Sequence, residues 1–122
     1  MKHRKLIKAL FVSALCWVAF GVNAEPTKKK VIETTFEVRG ACGMCETKIE
    51  EGVMLLNGVK LADWDRYKQE IVVVYNSKKI SENEIHQAIA LLGYDTNLVK
   101  ATDKNYGDLP GCCKYREGQK VH

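Results

Sequence analysis

VIETTFEVRGACGMCETKIEEGVMLL, residues 31–56 of this 122-residue chain, combines a strand-like and a helix-like pattern on either side of a paired-cysteine motif. Residues 31–39 are rich in β-branched side chains that partly alternate with polar ones, which predicts a β-strand. Residues 46–56 predict a helix, and the residues near its apolar face are Cys45, Ile49, Val53 and Leu56. The motif Cys42-Gly43-Met44-Cys45 therefore lies in a loop that leads from a strand into a helix.

The thiols of Cys42 and Cys45 can turn towards one point. Such a pair suits two chemistries, holding a soft metal ion between two thiolates or cycling between dithiol and disulfide. Unpaired N–H groups give a helix N-terminus a partial positive charge, which favours thiolate over thiol. The motif by itself does not separate the two chemistries.

Three more strands and a second helix are predicted downstream. Ser81 and Glu84 have the spacing of a capping box, so a helix begins there, and Gly93 ends it. The strands are predicted at residues 59–65, 70–75 and 94–101. The order strand, helix, strand, strand, helix, strand predicts a ferredoxin-like βαββαβ sandwich, an α+β fold in which a four-stranded antiparallel sheet carries two helices on one face.

Residues 1–24 have the pattern of a cleaved secretory signal peptide. A basic start precedes an uncharged apolar run at residues 9–22, and small residues end at Ala24. The run is shorter than the roughly 20 residues of a membrane-spanning helix. We therefore expect cleavage near Ala24, a linker at residues 25–30, a periplasmic or secreted protein, and no stable membrane insertion afterwards. An uncleaved anchor is the alternative, and a lipoprotein attached through Cys16 is a weaker one.

The charge balance changes once residues 1–24 are set aside. The full chain has 19 Lys and Arg against 15 Asp and Glu, and residues 1–24 hold four of the basic residues and no acidic one. The remainder is neutral overall, so it offers no electrostatic footprint for nucleic acid. Its length of about 98 residues suffices for one small domain with one core.

Four cysteines remain after residue 24, and they form two tight pairs: Cys42 with Cys45, and Cys112 with Cys113. Adjacent cysteines bridge each other only with strain, so this spacing favours metal binding or redox exchange over a disulfide framework. The second pair lies in a C-terminal tail, residues 102–122, which has weak periodicity.

The tail is long enough to return to the first cysteine pair. The fourth strand would start near the Cys42 loop and carry the chain roughly 26 Å away from it. The next ten or so residues can span about 33 Å. Cys112 or Cys113 could then complete a three- or four-thiolate site or form a storage disulfide. A second ion, a partner protein, or a thiol pair without a metal role are the alternatives.

Taken together, these residues resemble the heavy-metal-associated domain over about Val31 to Lys100. The residues that carry the resemblance are Phe36-Glu37-Val38-Arg39-Gly40, Cys42-Gly43-Met44-Cys45, Ile49-Glu50, Asn57-Gly58-Val59, Ile71 to Tyr75, Ile85, Ala88-Ile89 and Gly93-Tyr94-Asp95. The family includes small copper chaperones, N-terminal modules of copper-exporting ATPases and a periplasmic mercury-binding protein. The resemblance implies that the domain occupies residues 31–101 and that Cys42 and Cys45 are its metal ligands.

Other positions near the motif have more than one interpretation. Met44 could be a third, thioether ligand for Cu(I) or a local packing residue. Tyr94 falls where the family places a residue beside the metal loop, and it either shields the thiolates or is an ordinary core tyrosine. The stretch Gly40-Ala41-Cys42 is one residue shorter than in the family and lacks its buried methionine. His86 is expected at the surface or its boundary.

These features favour an exported protein that carries or sequesters a soft ion, Cu(I) first and Hg(II) second. Two thiolates hold such an ion with open flanks, so an incoming thiolate can take it by ligand exchange. This is transfer and not catalysis, so we predict that the chain is not an enzyme and has no catalytic residues. Zn(II) prefers four ligands and fits only if the tail cysteines join. Expected partners are a metal-donating or metal-accepting protein, such as a membrane transporter or metal-transport ATPase, or a second copy in a metal-bridged homodimer.

Two other classes of protein use the same motif. A thiol–disulfide oxidoreductase of thioredoxin type suits the compartment, but neither Pro26 nor Pro110 is placed to face the dithiol as that fold requires. An interaction module with a structural Cys42–Cys45 disulfide is the third possibility.

Overall fold

The computed structural model describes residues 30–122. Its longer elements are β1 (Val31–Glu37), α1 (Gly43–Met54), β2 (Val59–Asp65), β3 (Glu70–Asn76) and α2 (Glu82–Leu91). A short helix α3 (Asp103–Gly107) and two single-turn 3-10 helices, Gly111–Cys113 and Tyr115–Glu117, follow. The predicted signal peptide and most of the linker lie outside the described residues. No helix within residues 30–122 is long and apolar enough to cross a membrane.

The sheet is antiparallel, with strand order β1-β3-β2. Alternate residues of the central strand β3 are buried, so one face of the sheet is covered. The buried stripes of α1 and α2 pack in the same hydrophobic cluster as that face. The inward residues of the sheet are Phe36, Ala62, Trp64, Ile71, Val73 and Tyr75, and the helices contribute Cys45, Ile49, Val53, Ile85 and Ile89.

Helix α1 begins at Gly43, three residues before the predicted start at residue 46. Cys42 is its N-cap, in an extended conformation, and Cys45 lies in its first turn. The cysteine motif is therefore the beginning of the helix, where the first N–H groups have no partner within the helix.

The predicted capping box of the second helix is present. The Ser81 amide donates to Glu84 Oε2 at 2.7 Å, and the Glu84 amide donates to Ser81 Oγ at 3.2 Å. Gly93 lies just beyond the helix with φ of +106°. A Cβ there would lie 2.7 Å from the carbonyl oxygen of Asn105. Glycine at this position therefore allows both the backbone turn and the close approach of the tail.

The predicted fourth strand, residues 94–101, does not form, and the sheet of the described chain has three strands. The segment makes one isolated bridge, between Val38 and Thr96. Thr96 Oγ1 accepts hydrogen bonds from the amides of Leu98 at 3.2 Å and Val99 at 3.0 Å. These side chain–backbone bonds fold the segment on itself, because they compete with a strand ladder for the same amides.

His86 was expected at the surface or its boundary, and this expectation is wrong. The side chain is fully buried, stacks on Phe36 with ring centroids 3.8 Å apart, and places Nδ1 2.6 Å from Thr96 Oγ1. The turn that replaces the fourth strand covers the imidazole, and no sequence pattern predicts that turn.

The tail after residue 101 belongs to the same hydrophobic core as the sheet and helices. Its buried side chains are Tyr106, Leu109, Cys113 and Tyr115. Weak periodicity hid these short helices, because single turns are too short to show a repeat.

Candidate metal centre

Cys42 and Cys45 meet at the N-terminus of helix α1. Their Sγ atoms are 3.5 Å apart, and both residues are buried. The amide of Ala41 points at Cys45 Sγ at 3.5 Å. Ala41 itself is fully buried, at the place where the loop is shorter than in the resembled family. The loop therefore holds the two thiols together without the additional buried methionine.

The entry to this loop depends on Gly40. A Cβ at Gly40 would lie 2.7 Å from Trp64 Cη2 and 3.3 Å from the Cβ of Cys45. Trp64 is held in place by a hydrogen bond from Nε1 to the carbonyl oxygen of Val38 at 3.0 Å. Because the indole lies under the loop, only a glycine leaves room for the chain to pass.

The tail returns to this point, as its length allowed. Cys113 is fully buried, with Sγ 3.7 Å from Cys42 Sγ and 3.9 Å from Cys112 Sγ. The Sγ atoms of Cys42, Cys112 and Cys113 all lie within 4.8 Å of one another. The two cysteine pairs of the sequence thus form one cluster.

Met44 lies at the edge of the cluster and is exposed. Its Sδ is 3.8 Å from the thiol of Cys112, which is itself partly exposed. The structure therefore places Met44 and Cys112 on the solvent side of the site, and Cys42, Cys45 and Cys113 on the buried side.

Tyr94 closes the buried side. The residue is fully buried, and its hydroxyl has no hydrogen-bond partner among residues 30–122. Burial raises the pKa of the phenol strongly, and the neighbouring sulfur atoms of Cys45 and Cys113 raise it further. The hydroxyl thus remains protonated and is available as a donor towards these sulfurs.

The thiols differ in how readily they ionise. Burial alone would raise the pKa of Cys42, but hydrogen bonds from the Cys45 amide and from the neighbouring thiols lower it to about 7. Burial, followed by the nearby sulfur of Cys45, raises the pKa of Cys113. A hydrogen bond with Cys42, followed by burial, raises the pKa of Cys112. Cys42 thus ionises more readily than the two tail thiols, whose protons a bound ion must displace.

Tyr115 and Arg116, two and three residues after Cys113, fasten the tail to the domain. The Tyr115 hydroxyl donates to the carbonyl oxygen of Gly93 at 2.9 Å and accepts from the amide of Asp95 at 2.9 Å. Arg116 contacts both carboxylate oxygens of Asp95, with Nη2 2.6 Å from Oδ1 and Nε 3.1 Å from Oδ2. We call this pair of contacts the Tyr115–Arg116 latch.

The latch was missed by sequence reasoning. The available signal was the aromatic and charged character of the segment around Tyr115 and Arg116, in a tail otherwise without pattern. Gly93 and Asp95, which the latch contacts, belong to a stretch that matches the resembled family. Nothing in the sequence indicated that this stretch contacts the tail.

The donor set consists of sulfur. Within residues 30–122, the cluster of three potential metal ligands contains only cysteines. Thiolate and thioether ligands select soft ions such as Cu(I) and thiophilic ions such as Zn(II) over ions that prefer oxygen. The arrangement can bind such an ion and exchange it with another thiol.

Comparison with known proteins places this site in a wider group. The sequence profile of the heavy-metal-associated domain matches residues 35–95, half of the chain. The match includes Cys42 and Cys45 and ends before the tail cysteines. The copper chaperone CopZ of Enterococcus hirae is 35% identical over 65 residues, which is 52% of this chain and 94% of CopZ.

Solved structures show the same fold. A CopZ metallochaperone superposes with a TM-score of 0.52 at 27% identity, over 53% of this chain and 98% of that protein. The N-terminal domain of a potential copper-translocating P-type ATPase from Bacillus subtilis, in the Cu(I)-loaded state, gives a TM-score of 0.53 at 27% identity, over 60% of this chain and 92% of that domain.

Proposed function

Because this chain belongs to the heavy-metal-associated domain family, we propose that it carries or sequesters Cu(I) through Cys42 and Cys45 and passes the ion on by thiolate exchange. The observation that carries this proposal is the pair of Sγ atoms 3.5 Å apart at the start of α1, inside the segment that matches the family. The helix N-terminus stabilises the negative charge of the thiolates. The relatives named as copper chaperones favour copper as the cargo.

The protein acts as a carrier and not as an enzyme. Its relatives are named as chaperones, and the prediction that it is not an enzyme agrees with them. In ligand exchange an incoming thiolate forms one metal–sulfur bond while another breaks, and the oxidation state of the ion does not change. The chemistry needs accessible thiolates and no general acid or base.

The partner proposed for this exchange is a copper-transporting ATPase. Domains of such ATPases share the fold of this chain, and one of them was solved with Cu(I) bound. A metal-bridged homodimer is a second way in which two of these sites could share an ion. Given the signal pattern of residues 1–24, the exchange takes place in the periplasm or outside the cell.

The experiment is a Cu(I) titration of the reduced protein without oxygen, followed by native mass spectrometry and competition with bathocuproine. One ion per chain is expected, held against the competitor and lost in the Cys42→Ser/Cys45→Ser double variant. Cys112→Ser is the comparison variant, because it removes a thiol of the same cluster outside the motif, and it is expected to lose less copper than the double variant. Equal retention of copper by the double variant would contradict the proposal, and a dimer with one shared ion would indicate the bridged form.

The choice of ion is tested in the same way. Hg(II) is the second candidate, because two thiolates also suit it, and Zn(II) becomes competitive if all four thiols coordinate. Competition between Cu(I) and each of these ions for the protein ranks them directly. If the protein retains Hg(II) or Zn(II) in preference to Cu(I) at equal free concentration, that ion and not copper is its cargo.

Thiol–disulfide exchange is the second candidate function, favoured by the Cys42 pKa of about 7 and by the short Sγ–Sγ distance of 3.5 Å. A thiol that is substantially ionised near neutral pH is a competent nucleophile. Catalysed reduction of an insulin disulfide, combined with loss of copper to bathocuproine, would favour this function over metal carriage.

A further inference from the structure

We propose that the tail supplies Cys113 as a third thiolate to the ion held by Cys42 and Cys45, and that the Tyr115–Arg116 latch keeps this closed site in place. The inference rests on the proposed function, since it concerns the same ion. It adds to that function because the segment matching the family ends at residue 95, before the third ligand and the latch.

The sulfur distances suit coordination by more than two ligands. Thiolates about 2.3 Å from one ion are about 4 Å apart in a three- or four-coordinate site and about 4.6 Å apart in a linear one. Cys42 Sγ lies 3.5 Å from Cys45 Sγ and 3.7 Å from Cys113 Sγ. Cys42 is therefore the common neighbour of Cys45 and Cys113, at separations too short for a linear pair, while Cys112 forms a group with Cys42 and Cys113 whose sulfur atoms all lie within 4.8 Å of one another.

The position of Cys113 is fixed by residues on both sides of it. Its amide donates to the carbonyl oxygen of Pro110 at 2.9 Å in a single helical turn, and its side chain is fully buried. Tyr115, two residues later, is buried and bonded to Gly93 and Asp95. Arg116 forms the ion pair with Asp95 and donates to the carbonyl oxygen of Ala101 at 2.8 Å. A ligand held in this way is available without the ordering cost of a free tail.

The unpartnered hydroxyl of Tyr94 is a second observation that favours Cys113 as a ligand. A buried donor without an acceptor is costly, so its persistence suggests an acceptor that arrives with a ligand. Its neighbours are the sulfur atoms of Cys45 and Cys113, which accept hydrogen bonds better once they are metal-bound thiolates. Coordination by both cysteines would give Tyr94 its missing partner.

Cys112 and Met44 have a different place in this arrangement. They lie on the solvent side, with Sγ and Sδ 3.8 Å apart. An incoming protein thiolate reaches the ion from that side and replaces Cys113. One metal–sulfur bond forms as the Cys113 bond breaks, Cys113 takes up the proton that the incoming thiol has released, and no electrons are transferred. The tail is therefore a built-in ligand that a partner must displace.

The test compares the Cu(I)-loaded purified protein with four variants by X-ray absorption spectroscopy and by competition with bathocuproine. The unsubstituted protein is expected to show three sulfur ligands. Cys113→Ser is expected to show two, at a shorter copper–sulfur distance, and to bind Cu(I) at least about tenfold more weakly. Cys112→Ser tests the adjacent thiol of the same cluster as the alternative third ligand. It is expected to keep three sulfurs, and loss of a sulfur there instead of in Cys113→Ser would overturn the assignment to Cys113.

Tyr115→Phe tests the latch while leaving all four thiols in place. It removes a hydroxyl that makes two hydrogen bonds, so we expect Cu(I) affinity to fall about five- to tenfold. In the Cys113→Ser background the same change should have no effect on affinity, because the third ligand is already absent. An equal loss in both backgrounds would mean that the latch acts on the fold and not on the ligand.

The outcomes separate this inference from the function on which it rests. Two sulfurs in the unsubstituted protein, with unchanged affinity in Cys113→Ser, would overturn the tail ligand and leave the carrier intact. No copper retained by the unsubstituted protein would overturn both. Four sulfurs, with equal losses in Cys112→Ser and Cys113→Ser, would also overturn the three-thiolate site. Even if a variant fails to fold, the sulfur count of the unsubstituted protein shows whether the ion has a third sulfur ligand.

Discussion

Cys42 shows how one residue serves both the helix and the site. As the N-cap of α1 it lies beside unpaired N–H groups, and its thiol receives hydrogen bonds that outweigh burial and lower its pKa to about 7. Ser, Thr, Asp and Asn usually occupy this position because their oxygen atoms accept from the first turn. The Cys42 side chain makes no capping hydrogen bond in this structure, so the partial positive charge of the helix start, and not a cap, is what favours its thiolate.

Gly40 is the residue whose replacement should most directly disturb the loop. In Gly40→Ala the new Cβ would lie 2.7 Å from Trp64 Cη2, against an indole that is fully packed. Such overpacking typically costs about 1–3 kcal/mol, which urea denaturation will measure. Gly111→Ala is the matched control, because nothing lies within 4 Å of a Cβ there. Equal stability of the two variants would contradict the tight packing of the loop on Trp64.

Tyr94 should respond differently in the apo and copper-loaded protein. In Tyr94→Phe the apo protein loses a buried hydroxyl without a partner, so its stability should rise by about 1 kcal/mol. The copper-loaded variant should gain less stability from the ion, because metal-bound sulfur then lacks the hydroxyl donor. Thermal unfolding with and without Cu(I) measures both effects. The same stabilisation by copper in both proteins would reduce Tyr94 to a packing residue.

At the scale of elements, the success of the sequence patterns depended on how locally each element is specified. Strand β2 begins and ends at the predicted residues, and α2 has its predicted capping box, because alternation and caps are properties of a few adjacent residues. The segment after Gly93 has the composition of a strand but bonds to its own side chains, through Asp95 and Thr96. The conformation of this segment depends on its contacts with His86 and with the tail. Contacts between such distant residues leave no local pattern in the sequence.

The candidate site was predictable in its parts and not in its assembly. The two cysteine pairs and Tyr94 were visible from spacing and resemblance, and the reach of the tail was a matter of chain length. The order of the sulfur atoms, with Cys113 inside and Cys112 at the rim, follows from a single helical turn at Gly111–Cys113. The latch that sets that turn joins Asp95 to Arg116, and a contact between such distant residues has no signature in one sequence.

The packing of α2 against the Thr96 turn should make stability depend on pH. Burial lowers the pKa of His86, while Glu82, 3.5 Å from Nε2, raises it less strongly. The unfolded chain therefore takes up this proton at a higher pH than the folded protein. As the pH falls below about 6.5 the free energy of unfolding should decrease, until the folded pKa is passed.

His86→Gln removes this titration and keeps a polar side chain near Thr96. Between pH 7.5 and 5.5, urea denaturation of the unsubstituted protein should show decreasing stability, and the variant should lose less over the same interval. The variant is expected to be less stable at pH 7.5, because it loses the stacking on Phe36. Parallel pH profiles for the two proteins would assign the acid sensitivity to other groups.

At the scale of the whole molecule, the tail covers part of the hydrophobic core, as the predicted fourth strand would have done. The segment matching the family ends at residue 95, yet the hydrophobic core continues through Leu109, Cys113 and Tyr115. Gly93 lets α3 approach, and Arg116 neutralises the buried carboxylate of Asp95. The cysteine cluster and the fold thus depend on the same segment, so releasing the thiol of Cys113 requires loosening part of the core.

Truncation after residue 101 tests whether the tail and the domain form one cooperative unit. The deletion removes several buried side chains, each worth about 1.5–3 kcal/mol, so the free energy of unfolding should fall by on the order of 5 kcal/mol. Urea denaturation of the full chain should show a single transition, and the truncated chain should unfold at a much lower urea concentration. Deleting residues 119–122 is the comparison, since it spares the latch and removes the hydrogen bonds of His122 with Ala41 and Arg66, so it should cost only about 1–2 kcal/mol. If the chain ending at residue 101 unfolds at the same urea concentration as the full chain, the tail is an independent appendage, and the closed site would lose its structural basis.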